Sequence, residues 1–308
     1  MKKALAIVGP TASGKTKLSI EISKLLDGEI ISADSRQIYK NIPIATSHPA
    51  EEDLKSIKHY FINELELNEY FSAGQFGKKG RSIVKEIFSK NKTPLIIGGS
   101  GLYVRSLIDG FFEDEIESKH IREELYKELE IHGEDHLYDE LEKTDPETFS
   151  KIPKRKIRRV IRALEIYLAS GKKLSEFHNT NIDVEFETIQ IALMHDRKDL
   201  YNSINERVDE MIEAGLIDEI KSLKEKGYHY KTHNSLNTVG IKEVFKFFDG
   251  ELDLETMISL IKQNTRRYAK RQLTWFRKDK RINWIEVNEC NDVTKLAETA
   301  LKIFNSGV

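Results

Sequence analysis

Between Gly9 and Thr16 the chain reads Gly-Pro-Thr-Ala-Ser-Gly-Lys-Thr, a glycine-bounded loop closed by a lysine and a threonine. The spacing G-x-x-x-x-G-K-[ST] is that of a phosphate cradle when it follows a strand and opens a helix. Backbone N–H groups of such a loop form a concave nest for phosphate oxygens. The helix N-terminus behind it adds its positive dipole end. Lys15 supplies a point charge, and the Thr16 hydroxyl can ligate Mg²⁺. Gly9, Pro10, Thr11, Ala12, Ser13, Gly14, Lys15 and Thr16 are therefore the candidate diphosphate- or nucleotide-binding residues. Loops of this type commonly serve ATP.

A P-loop NTPase also holds its metal with an acid at the end of a second strand. Here the strand ending at Gly98-Gly99-Ser100 brings no carboxylate. The carboxylate at a strand end is Asp34, in Ser-Ala-Asp-Ser-Arg-Gln (32–37). Carboxyl ends of strands in an open parallel sheet face the ligand crevice. Asp34 can serve the metal there, or take a proton from an acceptor. An Asp-Ser pair also suits a helix N-cap. The spacing leaves these readings open.

The elements that must position these groups are legible as alternating strands and helices. Apolar runs bounded by glycine or proline predict buried strands at 5–8, 29–32, 94–97, 188–194 and 282–287. Helical periodicity fits 14–26, 76–88 and 102–108. Later it fits 198–214, 216–226, 239–248 and 254–275. The alternation predicts an α/β protein: a P-loop-type parallel sheet core, with a helical insertion domain and a helical C-terminal part. The expected division is a core of 1–110 and 181–308, and an insertion of 111–180. Within the insertion, 113–147 hold fifteen acids against four bases and read as wholly helical. A basic helix over 154–169 follows.

The 308 residues carry 49 Lys and Arg against 51 Asp and Glu, a net charge of −2. That balance hides a polarity. Residues 154–173 hold eight bases and one acid, and 262–281 hold nine bases and one acid. Two concentrated basic helices in an otherwise acidic chain point to a bound polyanion. Arg155, Arg158, Arg159 and Arg162 fall on one helix face by their spacing, with Ile157, Val160, Ile161 and Leu164 on the other. Guanidinium forks in a row bind phosphates bidentately and position RNA without reading its sequence. In 264–277 the aromatics Tyr268, Trp275 and Phe276 are expected mostly to face the core. One cysteine, Cys290, excludes an internal disulfide and a cysteine-rich zinc module. No apolar run is long enough to span a bilayer, and the stretch after Met1 is too short for a signal peptide. A cytoplasmic location is the expectation.

Five segments resemble bacterial tRNA dimethylallyltransferases, the tRNA isopentenyltransferase family. They are GPTASGKT (9–16), DSRQIY (34–39), GGSGL (98–102), RRVIRALE (158–165) and QNTRRYAKRQLTWFR (263–277). They occur in the family's order over nearly the whole chain, and the last is long and specific. The resemblance implies transfer of a dimethylallyl group from dimethylallyl diphosphate to the exocyclic N6 amine of adenosine 37, beside the tRNA anticodon. Diphosphate would leave with Mg²⁺ assistance, the loop at 9–16 holding it. Asp34 takes the role of general base by its match, and Thr11 lies near the reacting centre. The implied tRNA contacts are Asp34, Ser35, Arg36, Gln37, Ser100, Arg122, Arg158, Arg159, Val160, Ile161 and Arg162. Arg266 and Arg271, on the second basic helix, are candidate diphosphate or RNA contacts, the two readings left open. The implied partner is the anticodon stem-loop, met by a monomer with no membrane association.

The chain departs from the family pattern in places. Ile44-Ala-Thr-Ser-His-Pro49 stands where the family reads IGTAKP, so a glycine and a lysine are missing. Val239-Gly-Ile-Lys-Glu243 replaces IGYKE and loses an aromatic. Ser100 stands for a threonine. His59 reads as structural. The rival readings are a small-molecule or nucleoside kinase, a prenyltransferase for free adenine nucleotides, and a non-catalytic RNA-binding protein. The missing acid after the third strand weighs against the first. The two basic helices weigh against the second.

Overall fold

A computed structural model describes residues 2–110, 118–153, 156–177, 184–287 and 292–306. The chain opens with β1 (Lys3–Val8), α1 (Lys15–Leu25), β2 (Gly28–Ser32), α2 (Glu51–Ser56) and β3 (His59–Tyr60). Then come α3 (Ala73–Ser89), β4 (Thr93–Gly98) and α4 (Gly101–Ile108). Four helices follow: α5 (Lys119–Thr144), α6 (Pro146–Lys151), α7 (Ile157–Ser170) and α8 (Leu174–Phe177). The chain continues with β5 (Glu187–Met194), α9 (Arg197–Glu213), α10 (Leu216–Glu225), α11 (Ile241–Phe248) and α12 (Leu254–Phe276). It ends with β6 (Ile282–Glu286) and α13 (Val293–Ser306). Contacts divide it into two units, Met1–Ile108 with Val184–Val308, and Asp109–Asp183. Among the described residues no helix is long and apolar enough to cross a membrane.

The first unit is built on one six-stranded, wholly parallel sheet in the order β3-β2-β4-β1-β5-β6. The two central strands are apolar and buried over Ala4–Val8 and Leu95–Ile97, because both faces of the sheet are covered there. Ala4, Ala6, Val8, Ile31 and Ile96 enter one core. Leu5, Ile7, Ile30, Leu95 and Ile97 enter the other. Each fully buried Leu or Ile contributes about 1.5–3 kcal/mol by leaving water. Val8 registers against Gly98 and Ala192, and Ser32 against Ile97. The carboxyl ends of β1, β2, β4 and β5 therefore share one sheet edge. The edge strand β3, two residues long, has no recognisable pattern in the sequence.

The second unit is helical around a small core of its own, with Leu125, Leu137, Leu141, Val160, Ile161 and Leu164 buried. Its long helix is interrupted at Gly133, whose φ of 81° and ψ of 178° break the helical path. The expectation that 113–147 are helical holds for Lys119–Thr144, apart from this break, and for the start of α6. Residues 111–117 and Arg155 lie outside the described residues. Buried Asp145 ties the end of this unit: it accepts from Thr148 N at 3.1 Å, Thr148 Oγ1 at 2.6 Å and Ser175 N at 3.0 Å.

Candidate active site

The loop at 9–16 follows β1 directly and its last residues begin α1. Three groups from distant parts of the sequence fix it. The Thr11 N–H donates to Gln272 Oε1 at 2.9 Å, and Gln272 Nε2 donates to Gly99 O at 2.9 Å. His195, next after β5, lies with Nε2 3.0 Å from Ser13 O. Ser13 Oγ closes the loop on Pro10 O at 2.9 Å. The Lys15 ammonium donates to Pro10 O and lies 3.4 Å from Ser13 Oγ. Gly99 has no alternative: a Cβ there would collide with Gln272 Nε2 and press on Gly9 O at 3.2 Å. A side chain at Gly99 would thus push apart β4, α12 and the phosphate loop.

Asp34 follows β2 by two residues. Its Oδ1 accepts from Arg36 N at 2.8 Å and Gln37 N at 3.4 Å, capping a tight turn over 35–38. The side chain also lines the cleft with Thr11, Lys15 and Thr16. Capping and cleft placement thus coexist, and no helix follows Asp34. Ser100 Oγ accepts from Ser35 N at 3.1 Å, joining the ends of β2 and β4. The Gln37 carboxamide is spent internally. Its Oε1 accepts from Ser32 Oγ at 2.9 Å, and its Nε2 donates to Thr46 O and Ser47 O at 3.2 and 3.1 Å. Gln37 shapes the loop that bears the cleft wall. Arg36 lines the cleft and is half-buried.

The loop over 42–49 is held from α10 and α9. The Glu219 carboxylate accepts the Ile44 and Ala45 N–H groups at 2.8 and 2.9 Å, and burial raises its pKa. Arg207 Nε donates to Ser47 Oγ at 2.9 Å. His48 occupies the place of the family's lysine, half-buried, its pKa lowered by burial and supported by Asp34. At the other departure, Ile241 is fully buried in the core, so no stacking group faces the cleft from that position.

These elements line an open cleft above the sheet edge. Its electrostatics are concentrated. Burial, followed by the Arg207 charge, pushes the Lys15 ammonium down to about 7, while Asp34 acts in the opposite direction. Burial lowers Arg207 too, with Asp34 again opposing. Tyr268, on the cleft wall from α12, is raised to about 12 by burial and by Asp34. Two desolvated cations beside one carboxylate form a site poised for an anion, whose charge would restore theirs. Thr16 is exposed on the same wall, a hard oxygen donor suited to Mg²⁺.

The arginines of the helical unit divide into two kinds. Arg158 and Arg159 are exposed. Arg122 and Arg162 instead converge on Glu165, which is fully buried, with closest approaches of 2.9 Å each. Val160 and Ile161, named among the implied RNA contacts, have side chains at most 2% exposed inside the unit's core, which leaves only their backbone for such a contact. The helical repeat that presents Arg158 and Arg159 outward turns their neighbours inward. Arg207, Gln272, Glu219 and His195 were not singled out from the sequence. Only Gln272 lay within a quoted segment, and nothing local marked the others. His59 lines the cleft, its Nδ1 2.8 Å from Ile57 O.

A model of the IPP transferase family matches residues 37–279. The tRNA dimethylallyltransferase of Christiangramia forsetii is 46% identical over 284 residues, 92% of this chain and 93% of that one. A crystal structure of the tRNA isopentenylpyrophosphate transferase of Bacillus halodurans is similar with a TM-score of 0.73. The two are 35% identical, with 99% of this chain and 98% of that one covered. A eukaryotic dimethylallyltransferase acting on tRNA is similar with a TM-score of 0.86 and 31% identity, over 100% of this chain and 79% of that one.

Proposed function

The chain belongs to the IPP transferase family and is a prenyltransferase acting on tRNA; from that premise we propose how its residues divide the work. The donor is dimethylallyl diphosphate and the acceptor the N6 amine of adenosine 37, beside the anticodon. The C–O bond to diphosphate breaks and its electron pair leaves with the phosphate. The N6–C bond forms, and the amine proton passes to the Asp34 carboxylate. One observation carries this assignment: Lys15, Arg207 and Asp34 share one desolvated cleft at the carboxyl ends of β1 and β2.

The loop at 9–16, Lys15 and Arg207 bind the diphosphate and stabilise the charge that grows on it. Thr11 sits on that wall beside the departing oxygen, its N–H fixed by Gln272. Thr16 is the protein group that would hold Mg²⁺, with the diphosphate supplying further oxygens. The ion, when bound, neutralises part of the diphosphate charge. The acceptor base must leave its stack to reach Asp34. Ser35, Arg36 and Ser100 border its path, and Arg158 and Arg159 hold phosphates of the anticodon stem-loop. The loop's ATP-type sequence serves a leaving group rather than a hydrolysed nucleotide. The working unit on this reading is a single chain.

The test is a transfer assay with Mg²⁺, labelled dimethylallyl diphosphate and unmodified tRNA, with AMP and ATP as alternative substrates. Label in RNA at an adenosine beside the anticodon is the expected outcome. Label in AMP alone would assign a free-nucleotide prenyltransferase. ATP consumption without prenyl transfer would restore the kinase reading.

A further inference from the structure

One face of α12 does more than the mechanism uses. Tyr268 points into the cleft, Gln272 holds the phosphate loop, and Trp275 continues the same face. Seven residues separate Tyr268 from Trp275, two helical turns or about 10 Å along the axis. Phe276 is buried, as the amphipathic pattern predicts, but Trp275 remains 40% exposed. A lone exposed aromatic needs no explanation. Trp275 is not a loose one. Its indole lies so close to Gly101 that a Cβ there would collide with Cδ1 and Nε1. The ring packs at the start of α4, one residue from Ser100, whose hydroxyl holds Ser35, the residue after Asp34. Leu102, the next residue, is 49% exposed. Arg105 on α4, Arg271 on α12 and Arg277 just past α12 are exposed, and the Arg271 guanidinium lies 5.7 Å from the Tyr268 ring centre.

An exposed indole packed on Gly101, one helical turn past Arg271 on the helix that brings Tyr268 to the cleft, has the chemistry of a platform for an unpaired nucleobase. We propose that Trp275 stacks a base neighbouring the acceptor adenosine, while Arg271 holds a phosphate between them. The inference rests on the tRNA reading of the cleft and adds a binding subsite to it. Stacking on Trp275 holds the flanking nucleotide after the acceptor has left its stack. Arg271, exposed one turn before Trp275, matches the backbone charge.

The chain has two tryptophans, so Trp284→Phe leaves Trp275 as the sole indole emitter. Titration with an RNA hairpin bearing an unpaired adenosine-rich loop should quench that emission. The same stem closed as a full duplex should bind without quenching. Independently of that background, Trp275→Ala should raise the KM for tRNA roughly tenfold with kcat nearly unchanged, and Trp275→Phe should recover most of the loss. RNA binding by filter retention without quenching, or an unchanged KM in Trp275→Ala, would overturn the platform alone. Failure of the wild-type chain to bind RNA at all would overturn the tRNA reading and the platform with it.

Discussion

The carboxamide oxygen of Gln272 accepts the backbone N–H of Thr11 at 2.9 Å, across 261 positions of sequence. Through its nitrogen the same side chain reaches Gly99 O. A single buried amide thus links the 9–16 loop, the end of β4 and α12, so the loop's conformation depends on a helix far along the chain.

Gln272→Leu keeps the volume and removes both bonds. Leaving the Thr11 N–H and Gly99 carbonyl unpaired should cost about 1–3 kcal/mol of stability. The KM for dimethylallyl diphosphate should rise, since Thr11 is no longer held. Gly99→Ala should be worse, because its Cβ collides with the Gln272 amide. Thermal melts and initial rates of both variants check this ordering.

Asp34→Asn retains an oxygen to cap the turn at 36–37 but cannot take the amine proton. Turnover should fall by roughly 10²–10⁴-fold, with RNA affinity and melting temperature close to wild type. Asp34→Ala should lose the cap as well, at about 1 kcal/mol. Single-turnover rates beside RNA binding isotherms separate the two effects. Full turnover in Asp34→Asn would remove the base assignment.

Lys15 gives the site a pH signature. Its folded pKa, about 7, lies below the ordinary value of 10.5 because burial disfavours the charged form. Between those values the unfolded chain binds the proton that the folded chain lacks. The Lys15 contribution to stability therefore rises with pH through that window and is lowest below pH 7. A bound diphosphate reverses the preference by restoring the charge. At pH 8, diphosphate binding should draw a proton onto Lys15. Calorimetry in buffers of different ionisation enthalpy should show this uptake for wild type. Lys15→Arg, charged at every accessible pH, should lack the Lys15 share of it.

The arginines of the helical unit should separate by function. Arg158→Ala and Arg159→Ala should leave the melting temperature unchanged, weaken RNA binding and reduce its salt dependence by about one ion each. Arg122→Ala and Arg162→Ala should destabilise the chain by about 1–2 kcal/mol, because buried Glu165 loses a cation. Salt titrations and melts of the four variants distinguish the classes.

The parts of the site governed by local rules were legible in sequence. The loop at 9–16 and Asp34 sit at the strand ends their apolar runs announced, since a buried parallel strand and a glycine-bounded turn are both local patterns. The groups that reach the site across the sheet were not. Arg207 and Glu219 lie on ordinary amphipathic helices, and only the packing of α9 and α10 over the 42–49 loop gives them partners. The same limit applies to aromatics. Helical periodicity puts Phe276 inward correctly. It does not show that Trp275 meets Gly101, a contact made by a residue far away in sequence. In α7, the resemblance implied RNA contacts along a whole motif, whereas the fold leaves Arg158 and Arg159 exposed and turns the Val160 and Ile161 side chains into the core.

The helical unit interrupts the sheet unit between β4 and β5, the two strands that flank β1. On a ribosome, β1 and the phosphate loop emerge first, yet β1 has only one neighbour until residues 187–194 appear. His195 and Gln272, which brace the loop, arrive later still. The loop therefore acquires its working shape among the last events of folding, however early it is made. Residues 109–183 carry a core of their own, so their early collapse would shorten the chain segment that must close between β4 and β5. Lesions that slow the helical unit should therefore delay appearance of the diphosphate site without touching any residue in it.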